Sequence, residues 1–577
     1  MSAPSAPRRG GWRGLAMLMI ALTALAGAAL GAWVLLRPAP ATPDASADPP
    51  WFDDITAASG VDFVHDPGPL DGRYFMPQIV GSGAALLDCD GDGLLDLYLV
   101  NNGGPKGRPN ALYLQQPDHT FRDASMGSGL DVAGYGMGVA VGDVDNDGRP
   151  DLMLSEYGAL RLFLNTGGGR FRPAPDAGIV SPLWGTSCAF ADFDRDGLLD
   201  LVVVNYVAYD PSRPCSNAAG EADYCHPMVF PGTVAQLFRN RTKPGGPVRF
   251  EDVTIASGLG RLLSSGLGVA VADFNGDGWP DIFAANDGRA NHLWINQRDG
   301  TFSEEAVSAG LAYDGVGRTL GNMGVALGDT QGTGRFDVLV THLSEETHTL
   351  WCQGLRGQFV DRTAESSLTR GKWRGTGFGT VLADFNHDGR LDLAIANGRV
   401  VRTRAARGDH FWDAYAERHQ LFAGVGPGRF RDVSSDHPAL SGTPSVGRAL
   451  LVGDLDNDGA LDLLITSIGG PVRLLRNVAP ERGHWLLVRA VDPRLKRDAL
   501  GAEIIVQTGT TKHVAWIQPG QSYLSSIDPR AHLGLGDATT YDQIRVRWPD
   551  GLHESFPGGP ADRLLTLRRG EGQLVAP

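Results

Sequence analysis

The hydrophobic and polar positions of the chain fall into three regimes. Residues 15–36 are uncharged and mostly apolar. From about residue 51 to residue 477, short apolar runs alternate with polar stretches rich in Gly and Asp. Beyond Val478 apolar runs such as "HWLLVRAV", "AEIIVQT" and "QIRVRW" continue, but the aspartate-rich stretches stop. Apolar runs this short, bounded by turn residues, predict strands.

The middle regime repeats itself. Units open with a strand of small residues, as in "GMGVAVG" before Asp143 and "GLGVAVA" before Asp273. An aspartate loop and an apolar strand follow. Next comes a Leu-aromatic-x-Asn cue ("LFLN" at 162–165, "LFRN" at 237–240, "LWIN" at 293–296), then a strand carrying Phe. The loops begin at residues 88, 143, 192, 273, 329, 384 and 454. Two intervals hold insertions, and the underlying period of about 50–55 residues is in the range of propeller repeats. Seven Phe elements, centred on Phe52, Phe121, Phe171, Phe250, Phe302, Phe359 and Phe430, each precede a loop. The chain therefore starts in mid-unit, and the last unit stops at "LLRN", 474–477. A closed ring resolves the mismatch, because residues 51–56 would complete the final unit and remove the open edges. The prediction is an all-β fold: a seven-bladed β-propeller over 51–477, followed by a β-sandwich-like domain over 478–577.

The loops carry the chemistry. "DCDGDGLLDL" at 88–97 places Asp88, Asp90, Asp92 and Asp96 within nine positions. Ionised carboxylates this close repel unless a cation sits among them, and oxygen ligands at alternating positions suit calcium. Positions one, three and five would point inward, Leu94 at seven would offer its carbonyl, and Asp96 at nine would close the shell. Gly93 at position six would allow the sharp turn. The same reasoning selects Asp143, Asp145, Asp147 and Asp151, then Asp192, Asp194, Asp196 and Asp200. It also selects Asp273, Asn275, Asp277 and Asp281; Asp384, Asn386, Asp388 and Asp392; and Asp454, Asp456, Asp458 and Asp462. One such loop could be a plain turn, but six near-copies point to about six calcium ions. The remaining loop, "DTQGTGRFDV", keeps Asp329, Gly334 and Asp337 but has Gln331 and Thr333 at positions three and five. It reads as a turn held by hydrogen bonds.

The formal net charge of −15 changes meaning in this light, since the seven loops hold 24 aspartates. Six divalent ions would leave about −3, and no basic stripe points to nucleic acid. The apolar run at 15–36 follows Arg8, Arg9 and Arg13 and is long enough to span a bilayer as a helix. Its length favours a single-pass anchor, with residues 1–14 cytoplasmic and the main body periplasmic or extracellular. "ALAGAA" leaves a cleaved signal and secretion open. Residues 37–50 read as a Pro/Ala linker. Cys215 and Cys225 bracket an inserted "SNAAGEADY" and are expected to form a disulfide in an oxidising compartment. Cys89, Cys188 and Cys352 are expected to be buried.

Catalytic signatures are sparse. There is no G-x-S-x-G, H-E-x-x-H or C-x-x-C-H. His342 and His348 with Glu345 and Glu346, and His410 with His419, could ligate a transition metal, but packed or surface histidines are commoner. "RGD" at Arg407–Asp409 lies in an Arg- and Gly-rich stretch where chance is the better reading.

The aspartate units resemble FG-GAP/VCBS repeats, as in integrin α-chain propellers. The tail looks like an ASPIC/UnbV domain, with "GAEIIVQTG" at 501–509, "SYLSSIDPRAHLGLG" at 522–536 and "VRWPDG" at 546–551. The combination is similar to the cartilage acidic protein-like family. It departs from that family at the Asp329 loop, in its anchor-like apolar run, and in having no Cys-rich calcium module like that of vertebrate members. The resemblance implies a secreted or surface calcium-binding propeller that engages an unidentified protein or surface ligand. The insertions at 205–232 and 398–420 would make the variable contacts. The alternative is an enzyme with its active site in the propeller funnel, in secondary metabolism, since the UnbV name is associated with enediyne biosynthesis clusters.

Overall fold

The computed structural model describes Ser2 and residues 49–577, apart from Lys372, residues 403–409, Glu481 and Pro577. The predicted anchor at 15–36, almost all of the basic tail and linker, and the "RGD" triplet lie outside the described residues. Among the described residues no helix is long and apolar enough to cross a membrane. Pro49 onwards forms one compact unit.

Along residues 52–477 run seven antiparallel sheets, each with four strands hydrogen-bonded in meander order. The first consists of Ala84–Leu87, Asp96–Leu99, Ala111–Gln115 and Phe121–Asp123. In the seventh, Gly447–Gly453, Asp462–Ser467 and Arg473–Asn477 are joined by Phe52–Asp54, with Phe52 opposite Asn477 and Asp54 opposite Leu475. The first strand of each sheet lies against that of the next, and the seventh lies against the first. The arrangement is propeller-like, and it explains the small residues of these strands. A Cβ at Gly138 would lie 2.5 Å from the Thr186 carbonyl oxygen, and one at Gly268 would lie 2.3 Å from that of Met323.

The Phe strands are three or four residues long and bury their Phe, and most expose the charged or polar residues beside it. Short strands with charged outward residues are how a sheet edge avoids pairing with other chains. Burying a Leu or Phe side chain contributes about 1.5–3 kcal/mol. The resulting cores straddle neighbouring sheets: Leu97 and Phe121 of the first pack with Leu463 and Leu475 of the seventh.

The C-terminal domain holds two sheets over a common core that includes Leu486, Val488, Ile504, Val506, Leu533, Ile544 and Trp548. Between Thr511–Trp516 of one sheet and Ala531–Gly536 of the other, the chain leaves the domain and enters the axis of the ring. Ser522 exchanges backbone hydrogen bonds with Val325 of the fifth sheet (2.7 and 2.9 Å). Its hydroxyl donates to the Leu450 carbonyl of the seventh at 2.8 Å. The Leu524 N–H donates to Ser187 Oγ of the third at 3.1 Å. Ser525–Ser526 adds a parallel fifth strand to the first sheet. Tyr523 is fully buried and donates to the Val80 carbonyl at 3.0 Å. Ser522 and Leu524 both take left-handed backbone conformations (φ 70° and 55°), a strain of about 1–3 kcal/mol per residue that the surrounding contacts must hold.

The other end of the axis is closed too. Arg448 is fully buried. Among the described residues its guanidinium hydrogen bonds run to the backbone carbonyls of Ile79, Gly398, Arg399 and Gly447 (2.7–3.3 Å), and it lies 3.8 Å over the Phe378 ring.

Candidate metal centre

Every aspartate loop leaves the C-terminal end of a first strand, so all seven lie on one face of the ring. Their shape comes from the position-one aspartate. In the second loop Asp143 accepts from the N–H groups of Asp147 (3.1 Å) and Gly148 (2.8 Å), and Asp192, Asp384 and Asp454 do the same in theirs. The position-six glycine is left-handed throughout, with φ 97° at Gly148 and 90° at Gly197.

This folding gathers carboxylates. One oxygen from each of Asp88, Asp90 and Asp96 lies within 4.8 Å of the others. The same is true of Asp143, Asp145 and Asp151, of Asp192, Asp194 and Asp200, and of Asp454, Asp456 and Asp458. Asp145 Oδ1 and Asp456 Oδ1 are buried with no hydrogen-bond partner among the described residues. Burial, helped by the neighbouring carboxylates, pushes Asp143 and Asp192 up to about 6 and Asp454 up to about 7. Burial likewise lifts Asp96 to about 7 and Asp281 and Asp384 to about 8, with Asp151, Asp200, Asp392 and Asp462 well above the usual carboxylate range. Hard oxygen donors converging on a shared point, with oxygens left unpartnered, fit a divalent cation.

The loops are not equivalent. At position three of the fourth and sixth loops, Asn275 and Asn386 donate to Asp277 (3.1 Å) and Asp388 (3.2 Å). Burial would raise Asp277, but Arg298 at 2.8 Å and further hydrogen bonds hold it below its ordinary value. Asp92, Asp147, Asp196 and Asp458, at position five, accept from the N–H two residues on. In the Asp329 loop, Thr330 Oγ and Gln331 Nε2 both donate to Asp337, which closes that turn without a third carboxylate.

Position nine has a role that spacing alone did not show. Each of these aspartates bridges two backbone N–H groups, one in its own loop and one at the end of the third strand. Asp281, for example, accepts from Phe274 (2.9 Å) and Asn296 (2.8 Å). The asparagine of the Leu-aromatic-x-Asn cue then reaches into the preceding sheet. Asn165 donates to the Cys89 carbonyl, Asn240 to Val144, Asn296 to Phe193 and Asn477 to Phe385, at 2.8–2.9 Å. Gln353 and Gln115 do likewise, Gln115 reaching Leu455 across the ring closure at 2.9 Å. In the sixth sheet the position is Gly424, and the Gly428 N–H bonds the Thr330 carbonyl instead at 2.7 Å. The cue was visible in the sequence, but only the fold shows that it staples each sheet to the one before.

The C-terminal domain sits on this face. Arg547 donates to Asp273 at 2.6 Å, and Arg530 to the Asp454 carbonyl at 2.8 Å. Arg497 reaches Asn146 at 2.8 Å and the Gly197 carbonyl at 3.2 Å. Three buried or nearly buried cations thus meet the acidic loops.

The histidines singled out in the sequence hydrogen-bond within the fold. His348 Nδ1 accepts the His342 N–H at 3.0 Å, and His419 Nδ1 accepts the Asn397 N–H at 3.1 Å. His410 caps the short turn Phe411–Ala414. Cys215 and Cys225 form a disulfide, and Cys89, Cys188 and Cys352 are free and buried.

Comparison with known proteins agrees with this construction. Residues 88–154, 143–203 and 273–340 match the FG-GAP-like repeat, and residues 492–574 match the ASPIC and UnbV family. Mouse (Mus musculus) cartilage acidic protein 1 is 27% identical over 516 residues, covering 82% of this chain and 71% of that protein. The human (Homo sapiens) protein is 26% identical over 522 residues, covering 82% and 70%. A solved Agrocybe aegerita lectin aligns only loosely, with TM-score 0.37 and 14% identity over 68% of this chain and 87% of the lectin. The chain is thus a protein of FG-GAP repeats joined to an ASPIC/UnbV domain, a distant homologue of cartilage acidic protein 1.

Proposed function

We propose that the chain is an exported, calcium-binding, seven-bladed β-propeller that acts as a protein-binding or scaffold module, tethered to a membrane through residues 15–36 or released after cleavage. The observation that carries the calcium reading is the pair of buried, unpartnered carboxylate oxygens, on Asp145 and Asp456, in loops that gather further carboxylates. The aspartates and asparagines of the six full loops would hold the ions. A bound calcium ion would supply the fixed positive charge that lets these carboxylates stay ionised together. The closed cycle of first strands and the pairing of Phe52–Asp54 with Arg473–Asn477 support seven blades. The disulfide at Cys215 supports an oxidising destination.

A scaffold fits the geometry better than an enzyme working in the funnel. Ser522, Tyr523, Leu524 and Arg448 fill the axis, so an active site would be confined to the clefts between the aspartate loops and the C-terminal domain, one of which is lined by Asp273, Arg547 and Trp516. The loop face is covered by the C-terminal domain, which leaves the opposite face, built by the insertions, for partners. Similarity to cartilage acidic protein 1 supports an interaction module of this kind.

The test is metal analysis of the purified full chain in detergent, with melts in calcium and in chelator. About six calcium ions and a marked loss of stability on chelation are expected. No bound calcium with an unchanged melt would refute the metal reading. A chain that retains no protein in cross-linking from its native membrane fraction would refute the scaffold reading.

A further inference from the structure

The face opposite the aspartate loops carries a cluster of aromatic rings that the calcium reading does not use. At its centre is Phe75, on the segment that leads into the first sheet. Its ring centroid lies 5.1 Å from Tyr135, 5.5 Å from Tyr157 and 5.7 Å from Tyr209. Tyr157 stands between the other two tyrosines, 6.0 Å from each. Buried Trp184 backs the group, 5.4 Å from Tyr157 and 5.6 Å from Tyr209. The three tyrosines come from three separate connections of the ring. They are half-buried, so the rings pack around Phe75 and still reach solvent.

Two features distinguish this group from a small core. The first is its stopper. Phe75 is itself half-buried, and the residues before it, 69–73, are exposed. Gly68 and Gly72 are left-handed (φ 86° and 81°), and Tyr74 takes φ 50°, a conformation that strains a non-glycine residue. The segment belongs to no sheet, so lifting the ring breaks no strand pairing; it has to release the Tyr74 ring from Tyr224 (5.3 Å) and the Met76 N–H from Tyr209 Oη (3.2 Å). The second feature is charge. Asp210 follows Tyr209 in the chain and is exposed, and its charge adds to the burial that raises both Tyr157 and Tyr209 above the ordinary tyrosine range. Electron-rich ring faces with a carboxylate alongside attract cations, and quaternary or alkylated ammonium groups most readily, because they shed water cheaply.

We propose that Tyr135, Tyr157 and Tyr209 form a cage for an organic cation of the alkylammonium class, which Phe75 occupies at rest. The cage owes nothing to the aspartate loops, so it stands or falls apart from the calcium reading. Phe75 acts as a competing internal ligand and lowers the apparent affinity by the fraction of time the cage is open.

The test uses the full chain and tetramethylammonium chloride, read by intrinsic fluorescence and by melting, against sodium chloride at equal ionic strength. Phe75→Ala should bind tetramethylammonium saturably and at least tenfold more tightly than the parent chain, with no such response to sodium. Phe75→Ala combined with Tyr157→Ala should lose that binding. Should Phe75→Ala not fold, Phe75→Val, which still removes the ring from the cage, provides the same readout. A folded Phe75 variant that responds no differently to tetramethylammonium and sodium would overturn the proposal. So would binding that survives Tyr157→Ala, or binding by the parent chain as tight as by the variant.

Discussion

Replacing Asn296 by Ala tests whether the inter-sheet staples carry stability of their own. Asn296 is 2% exposed. Its Nδ2 donates to the Phe193 carbonyl of the preceding sheet (2.8 Å) and to the Pro280 carbonyl (3.1 Å), while its Oδ1 accepts from the Arg298 N–H (2.9 Å). Alanine removes all three bonds and leaves a carbonyl between two sheets without a donor. At about 1 kcal/mol net per bond, and about 1–3 kcal/mol for a buried group left unsatisfied, the expected loss is about 4–6 kcal/mol. At about 2.1 cal/mol/K per residue, a folded unit of about 530 residues unfolds with an entropy of roughly 1.1 kcal/mol/K, so the melting temperature should fall by about 4–5 °C. The assay is urea unfolding in chelator, so that metal occupancy does not enter, with the melt as a second reading. The sixth sheet has Gly424 at the equivalent place, and a Cβ there would lie 2.4 Å from the Leu391 carbonyl oxygen, so the comparison runs from Asn to Ala and not the reverse. A loss below about 1 kcal/mol, typical of a surface substitution, would show that the staples report the packing without supporting it.

Three further outcomes are expected. Asp145→Ala should leave one fewer calcium ion bound and weaken the calcium-loaded protein, while costing little in chelator because a buried, unpartnered carboxylate oxygen is gone with it; unchanged stoichiometry by metal analysis would contradict this. Tyr523→Ala should cost about 3–5 kcal/mol by denaturant unfolding, as for other buried aromatics, and Tyr523→Phe only about 1 kcal/mol; an Ala variant as stable as the Phe variant would mean that residues 519–528 do not fill the axis. Burial holds His348 down to about 4, so it folds neutral while the unfolded chain takes up a proton below about pH 6.5. Its contribution is therefore whole above that pH and is lost as pH falls towards 4, about 2 kcal/mol by pH 5; a His348→Gln variant whose stability falls between pH 7 and 5 as steeply as the parent's would refute this.

By itself the sequence determined what depends on neighbours in the chain. The aspartate loops are local, because a position-one carboxylate, a left-handed glycine and the N–H groups between them lie within a few residues. The strand repeats and their order are local too, since each sheet is a meander of consecutive segments. The offset of the Phe elements even pointed to Phe52–Asp54 as the partner of the last unit. The tertiary structure decided what depends on residues far apart. The asparagine cue is legible at 293–296, yet its partner, Phe193, is about a hundred residues away and is reached only once the sheets stand side by side. "QSYLSSID" reads as an ordinary strand or turn in a sandwich domain, yet it lies in the ring axis because seven converging strands leave a channel there that water would otherwise fill. The aromatic cage draws on residues 75, 135, 157 and 209, whose spacing follows no period. Periodicity reports the faces of single elements, whereas contacts between elements are set by how the whole ring closes.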